Sequence, residues 1–296
     1  MTDLVLPPGF DRRRTPARPD LAAAHLEGRI AAARFAEGRS ARVREATAPL
    51  RRSPAGDAPL DSEALYGEPV TVFDTDAEGW AWVQAGLDDY VGYMPVDALA
   101  MGAPEPSHKV AVLRTYLFPG PSIKLTPAAV LSLGSRLEVL RREGSFAVTP
   151  DGYVFADHLA PIDAMQPDFV AVAEGFLGAP YHWGGRTSIG CDCSGLVQVS
   201  LQAAGVRAPR DSDMQEAELG AALPVRDDLG GLARGDLVFW KGHVGIMRDA
   251  ETLLHATGRF MLTVNEPLAA ARDRIVAAGA GPITGLRRLT AGQARP

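Results

Sequence analysis

Between Pro180 and Ala204 the sequence allows one local architecture. Pro180-Tyr181-His182-Trp183-Gly184-Gly185 is followed, after five residues, by Cys191-Asp192-Cys193-Ser194-Gly195, and small apolar residues then run to Ala204. Glycine-rich backbone leading into an apolar helical run places Cys193 where a helix begins, with Gly205 as its C-cap. A helix N-terminus carries unpaired N–H groups and a partial positive charge, and both favour thiolate over thiol. A cysteine that serves only as buried packing, the alternative reading, needs no such surroundings. The pattern points to a nucleophile.

A thiol nucleophile needs an imidazole to take its proton, and that imidazole needs a third group to fix its tautomer. The chain has six histidines. His243 opens His243-Val244-Gly245-Ile246-Met247, directly after Gly235-Asp236-Leu237-Val238-Phe239-Trp240, and His255 closes Thr252-Leu253-Leu254-His255. Apolar runs split by Lys241-Gly242 read as a buried hairpin. Cys193, His243 and His255 are therefore the candidate nucleophile, base and orienting residue, against the simpler possibility of satisfied core histidines. His182 is a possible wall residue, and His25, His108 and His158 have no chemical company.

Pro-Tyr-x-Trp-Gly-Gly, Asp-Cys-Ser-Gly, Gly-Asp-Leu-Val-Phe-Trp and His-Val-Gly-Ile, in that order, resemble the NlpC family of papain-like cysteine peptidases. The resemblance covers roughly the last 130 residues. It implies action on bacterial cell-wall peptides, with Cys193 as nucleophile, His243 as base and His255 as the orienting third residue.

Composition restricts the alternatives. A chain of 296 residues, 46% hydrophobic and 22% charged, is long enough for two or more domains with ordinary cores. A net charge of −6 with no basic stripe gives no support for nucleic-acid binding, and Arg12-Arg13-Arg14 beside Asp11 and Asp20 reads as a solvated arm. No segment has the apolar length of a membrane span, and Met1–Asp20 lacks the pattern of a signal peptide. Two cysteines one residue apart cannot build a disulfide framework. The expectation is a cytoplasmic protein with no membrane partner.

Four parts are expected. Residues 1–40 form an arm with an amphipathic helix over 20–38, carrying Leu21, Ala24, His25, Gly28, Ala31, Ala32 and Phe35. From Ala41 short strands alternate with turns, and two stretches end alike: Asp89-Tyr90-Val91-Gly92-Tyr93 with Asp97-Ala98-Leu99, and Asp151-Gly152-Tyr153-Val154-Phe155 with Asp157-His158-Leu159. This reads as a tandem repeat of about 55 residues, giving two small β-barrels at 41–103 and 104–162. They resemble the bacterial SH3-like domains that often precede such peptidases. Residues 163–296 open with a helix at 168–177, followed by the nucleophile helix and then strands. The fold class expected is α+β: a papain-like peptidase domain preceded by two SH3-like barrels and a helical arm.

The same resemblance implies a substrate site. Tyr181, Asp192 and Ser194 would meet the free α-amine of a short murein peptide, since a carboxylate, a hydroxyl and a phenol suit an ammonium. Glu68 and Tyr90 of the first barrel would assist, with Glu63 and Tyr66 close enough in sequence to be alternatives. Arg210, Asp211 and Ser212 would lie near the γ-D-glutamyl residue, or else form a capping turn. Asp192 also fits an N-cap.

The expected activity is hydrolysis of the γ-D-glutamyl-L-diamino acid bond of murein peptides with a free N-terminal L-Ala, without metal or cofactor. The alternatives are an acyltransferase or amidase on the same scaffold and a non-catalytic murein-peptide-binding protein. A structural zinc site of Cys191, Cys193, His243 and His255 also competes, although Cys-x-Cys is tighter than usual zinc spacing.

Overall fold

Apolar–polar alternation builds the first sheet of the protein, whose residues 5–290 are described by a computed structural model. In Pro69–Thr75, Val70 and Val72 point inward while their neighbours are partly exposed, the period of a half-buried strand. Seven antiparallel strands follow in the order Leu99–Met101, Arg39–Val43, Pro69–Thr75, Trp80–Ala85, Val91–Pro95, Thr47–Arg51 and Leu60–Leu65. Their shared core includes Val43, Leu50, Val70, Val72, Val83, Tyr90 and Met94.

The segment expected to be an amphipathic helix is not one. Residues 20–38 form strands Leu21–Ala23 and Phe35–Ala36 around a single 3-10 turn, Ala24–Leu26. Leu21–Ala23 pairs antiparallel with Ala17–Arg18 and parallel with Phe35–Ala36. Leu21, Ala22 and Ala23 are all fully buried, so three successive side chains go inward, which one helix face cannot provide. Gly28, with φ of +74°, turns the chain where a helix would have continued. Burial among Phe10, Leu26, Ile30 and Phe73 overrides the helical preference of the alanines.

A second set of strands repeats the end of the first. Val91–Pro95 and Gly152–Phe155 each lead into a 3-10 turn, Val96–Ala98 and Ala156–His158, and then a short strand, Leu99–Met101 and Leu159–Pro161. In each Asp-x-Leu tripeptide the first two residues lie in that turn and the leucine opens the strand after it. Gly152–Phe155 lies in a five-stranded sheet in which Leu117 faces Val154 and Phe118 faces Tyr153. Phe118, Phe146 and Phe155 stack edge to face at 6.0 and 6.3 Å. The chain divides into two compact units. The first takes the described chain up to His108 with 116–131 and 135–156, and the second takes 109–115, 132–134 and the chain from Asp157.

The second unit is helix–sheet–helix. Its helices are α1 (Phe169–Glu174), α2 (Cys193–Ala203), α3 (Ser212–Glu218) and α4 (Leu268–Ala277). Six antiparallel strands run in the order Ala221–Leu223, Gly285–Arg288, Leu237–Trp240, His243–Met247, Thr252–Thr257 and Leu262–Pro267. Alternate side chains serve opposite faces. Phe239, Val244, Ile246 and Leu254 pack with Leu196, Val197 and Val199 of α2, whereas Val238, Trp240, Met247 and Leu253 pack with Leu268, Ala271 and Ile275 of α4. Because the sheet and its neighbours enclose α2, every residue from Cys193 to Leu201 is buried. Trp240 pairs with His243 across the Lys241-Gly242 turn, as a two-residue hairpin requires.

Leu196 is 1% exposed at the centre of this packing. Leu196→Ala is expected to lower the unfolding free energy by about 2–5 kcal/mol in urea denaturation. A loss below about 1 kcal/mol would mean that α2 is not the centre of the core.

Candidate active site

One carboxylate sets the start of α2. Asp192 is its N-cap: Oδ1 accepts from the Gly195 amide at 2.7 Å, while Oδ2 accepts from the Gly184 amide at 2.8 Å. Arg210 donates to both oxygens, Nη1 to Oδ1 at 3.0 Å and Nη2 to Oδ2 at 2.6 Å. The Ser194 hydroxyl donates to Oδ1 at 3.3 Å and accepts from Arg210 Nη1 at 2.9 Å. Gln215 of α3 donates to the carbonyls of Ser194 and Pro209, both at 2.9 Å. The helix start lies directly on the glycine-rich loop, because a Cβ at Gly195 would meet the Gly185 carbonyl oxygen at 2.2 Å. Cys193 is thereby fixed at the first helical position, where its amide belongs to the turn that has no intrahelical acceptor.

The histidines continue into a longer chain than the sequence predicts. His243 Nε2 lies 2.8 Å from His255 Nδ1, and His255 Nε2 lies 2.8 Å from Glu266 Oε1. Arg274 of α4 donates to the same Glu266 oxygen. Gly245 makes room for this arrangement: a Cβ there would stand 2.7 Å from Leu253 Cδ1 and 3.2 Å from His255 Cβ. The Val244 amide hydrogen-bonds to the Cys193 sulfur, which brings the strand carrying His243 against the thiol.

Burial governs the charges. It pushes the Cys193 thiol up to about 12, with Asp192 adding to the rise; the Val244 and Ser194 amides and Arg210 pull the other way without overcoming it. Burial also drives His243 down to about 3, helped by His255 and Arg274 and opposed by Glu266 and Asp192. Desolvation thus opposes the helix-end charge and disfavours charge on both the sulfur and the imidazole. Burial raises Tyr181 well above an ordinary phenol, with Cys193 and Asp192 adding to it. Glu266 is lowered: burial works against ionisation, but the hydrogen bonds from His255 and Arg274 outweigh it.

Cys193, His243 and His255 thus lie on adjoining elements of the second unit, and Tyr181 packs against the core cluster that includes Cys193. Asp192, Ser194 and Arg210 do meet, but as a buried cluster facing one another, not as an open binding surface. Arg210 is 1% exposed and its guanidinium is engaged by the Asp192 carboxylate. Asp211 takes the N-cap position of α3, and Ser212 opens that helix. Glu68 and Tyr90 belong to the first unit, both buried, with Tyr90 in the core of the seven-stranded sheet. Cys191 is fully buried with its sulfur 3.6 Å from Thr263 Oγ1, and no group of three or more His, Cys, Asp or Glu among the described residues could hold a metal ion. The four-ligand zinc alternative therefore fails on geometry. Sequence reasoning missed Gln215, Glu266 and Arg274. One signal for Glu266 was present, as it is the only acidic residue between Glu251 and Asp273.

The NlpC/P60 family model matches residues 178–271, and the probable endopeptidase NlpC of Escherichia coli is 36% identical over 112 residues, covering 33% of this chain and 70% of that protein. The chain belongs to the NlpC/P60 family. A second family model, the bacterial dipeptidyl-peptidase Sh3 domain, matches residues 50–99, within the seven-stranded sheet. The gamma-D-glutamyl-L-lysine dipeptidyl-peptidase of Bacillus subtilis is 29% identical over 245 residues, 72% of this chain and 78% of that one. Dipeptidyl-peptidase 6 of Lysinibacillus sphaericus is 26% identical over 233 residues, covering 70% and 84%. Among solved structures, an NlpC/P60 family protein from Bacillus cereus superposes with a TM-score of 0.69 at 22% identity, over 84% of this chain and 99% of that one, a likeness of fold.

For this NlpC/P60 domain the buried Asp192–Arg210 pair makes a stability prediction. Arg210→Met strands a buried carboxylate and is expected to cost about 3–5 kcal/mol in urea denaturation, with part of the loss recovered by adding Asp192→Asn. A single-variant loss under about 1 kcal/mol would show that the pair does not hold the helix start.

Proposed function

We propose that the protein hydrolyses the γ-D-glutamyl-L-diamino acid bond of murein peptides whose N-terminal L-Ala is free. One observation carries this reading. The hydrogen-bonded His243–His255 pair beside a buried cysteine occurs in a chain similar, over most of its length, to a gamma-D-glutamyl-L-lysine dipeptidyl-peptidase. A dipeptidyl-peptidase removes two residues from an N-terminus, so its substrate presents a free amine. The match of residues 50–99 to a domain named for such enzymes agrees with this.

The chemistry follows from the geometry. Cys193 Sγ attacks the γ-glutamyl carbonyl while His243 takes the thiol proton, and the same proton then passes to the leaving amine. Because thiol and imidazole both rest neutral, attack and proton transfer are coupled, and no standing thiolate is exposed to stray electrophiles. The Cys193 amide and the protonated Tyr181 hydroxyl are the donors for the tetrahedral oxyanion. Water, deprotonated by His243, resolves the thioester. A preference for free amines suits peptides already released from glycan, and a cytoplasmic recycling or catabolic role belongs to the same proposal.

The test is a panel of defined peptides read by mass spectrometry: L-Ala-γ-D-Glu-diaminopimelate, its lysine counterpart, N-acetylated forms, and stem peptides still attached to muramic acid. Free-amine peptides are expected to be cut between Glu and the diamino acid, and Cys193→Ala to cut none. Acetylation is expected to lower kcat/KM by at least about a hundredfold, the scale set by loss of one charge-assisted hydrogen bond of roughly 3 kcal/mol. Efficient cleavage of glycan-linked stem peptides would contradict the proposal.

A further inference from the structure

The histidine chain has an end that the three-residue reading leaves out. Glu266 lies on Leu262–Pro267, paired in register with Leu253, and reaches His255 Nε2 at 2.8 Å. We propose that Glu266 is a positioning residue: its carboxylate, held by Arg274, determines which nitrogen of each histidine carries a proton, and so turns the lone pair of His243 toward Cys193.

An ionised carboxylate only accepts hydrogen bonds. Glu266 is kept ionised by its contacts with His255 and Arg274, so the proton of a neutral His255 must sit on Nε2. His255 Nδ1 is then a lone pair and accepts the Nε2–H of His243 at 2.8 Å. With its proton on Nε2, neutral His243 presents Nδ1 as the basic nitrogen, the one not engaged by His255. The same two rings could satisfy each other with every proton reversed. His255 would then carry its proton on Nδ1 and donate it to His243 Nε2, and His243 would bear a proton on Nδ1, where it cannot take one from the thiol. Nothing within the imidazole pair chooses between these arrangements. The acceptor at position 266 does.

Arg274 donates to the same carboxylate oxygen and holds it against His255 Nε2. The charged and titratable groups acting on His243 are His255 and Glu266 from neighbouring strands, Arg274 from α4, and Asp192 from the start of α2. During acylation the thiol proton goes to His243 Nδ1, the imidazolium keeps its Nε2–H on His255, and Glu266 stays a carboxylate throughout.

The inference rests on the peptidase reading only for its kinetic arm, so the test has a second arm that needs no substrate. Full-length protein labelled with ¹⁵N-histidine is examined by imidazole ¹H–¹⁵N correlation near neutral pH as wild type, Glu266→Gln and Glu266→Leu. The expected wild-type spectrum has His243 and His255 both as Nε2–H tautomers. Glu266→Gln, whose amide oxygen still accepts, is expected to keep that pattern, and Glu266→Leu to move both rings toward Nδ1–H. In kinetics, Glu266→Leu is expected to lose at least about a hundredfold in kcat with KM within about threefold, while Glu266→Gln stays within about tenfold of wild type. An Nδ1–H tautomer on either ring of the wild type would overturn the assignment. So would wild-type tautomers or wild-type kcat in Glu266→Leu, or equal losses in the Gln and Leu variants. If no variant, wild type included, cleaves the peptides while the tautomers shift as expected, the positioning role stands and the substrate assignment fails.

Discussion

The second unit depends on the carboxylate of Asp192. It caps α2 through the Gly195 amide, ties down the glycine-rich loop through the Gly184 amide, and is neutralised by both terminal nitrogens of Arg210. Those bonds fix Cys193 between a loop and a sheet that leave it almost no freedom. The cost of burying the charge is offset because nearly every lone pair of the carboxylate has a donor, which is the condition under which such a pair is tolerated. The substrate contact expected of Asp192 would be made by a carboxylate that Arg210 already holds in place.

The enclosure that fixes the thiol also sets its chemistry. Water withdrawn from Cys193 and His243 disfavours charge on each of them. Three successive groups, His255, Glu266 and Arg274, keep the imidazole aimed without charging it, and they are supplied by two strands and the last helix. The arrangement of the histidine pair is therefore set by how the sheet registers against α4 as much as by the cysteine loop.

What the sequence revealed and what it concealed divide along a physical line. Cys193, the nucleophile helix ending at Gly205 and the hairpin at Lys241-Gly242 were legible because their signals are local: glycine, turn residues and apolar runs within a few positions. The tandem Asp-x-Leu turns were legible for the same reason. The arm at 20–38 misled because alanine-rich spacing satisfies a helical period, whereas three consecutive inward side chains and the left-handed Gly28 are decided by packing. Glu266 and Arg274 stayed hidden because their meeting with His255 depends on strand register and on the docking of α4, neither of which any short window encodes. The helix-end charge at Cys193 can be read from sequence, whereas the depth of burial that opposes it cannot.

The central claim is that Cys193 rests as a neutral thiol beside a neutral His243, and the rate of its alkylation by iodoacetamide as a function of pH tests it most directly. With the sulfur pushed up to about 12 and the imidazole down to about 3, the thiolate fraction grows throughout the accessible range. Alkylation of Cys193, followed by peptide mass, is predicted to rise about tenfold per pH unit from pH 5 to 9 with no plateau. A rate that levels off above an acidic midpoint and stays flat through neutrality would reveal a standing thiolate–imidazolium pair and contradict the account.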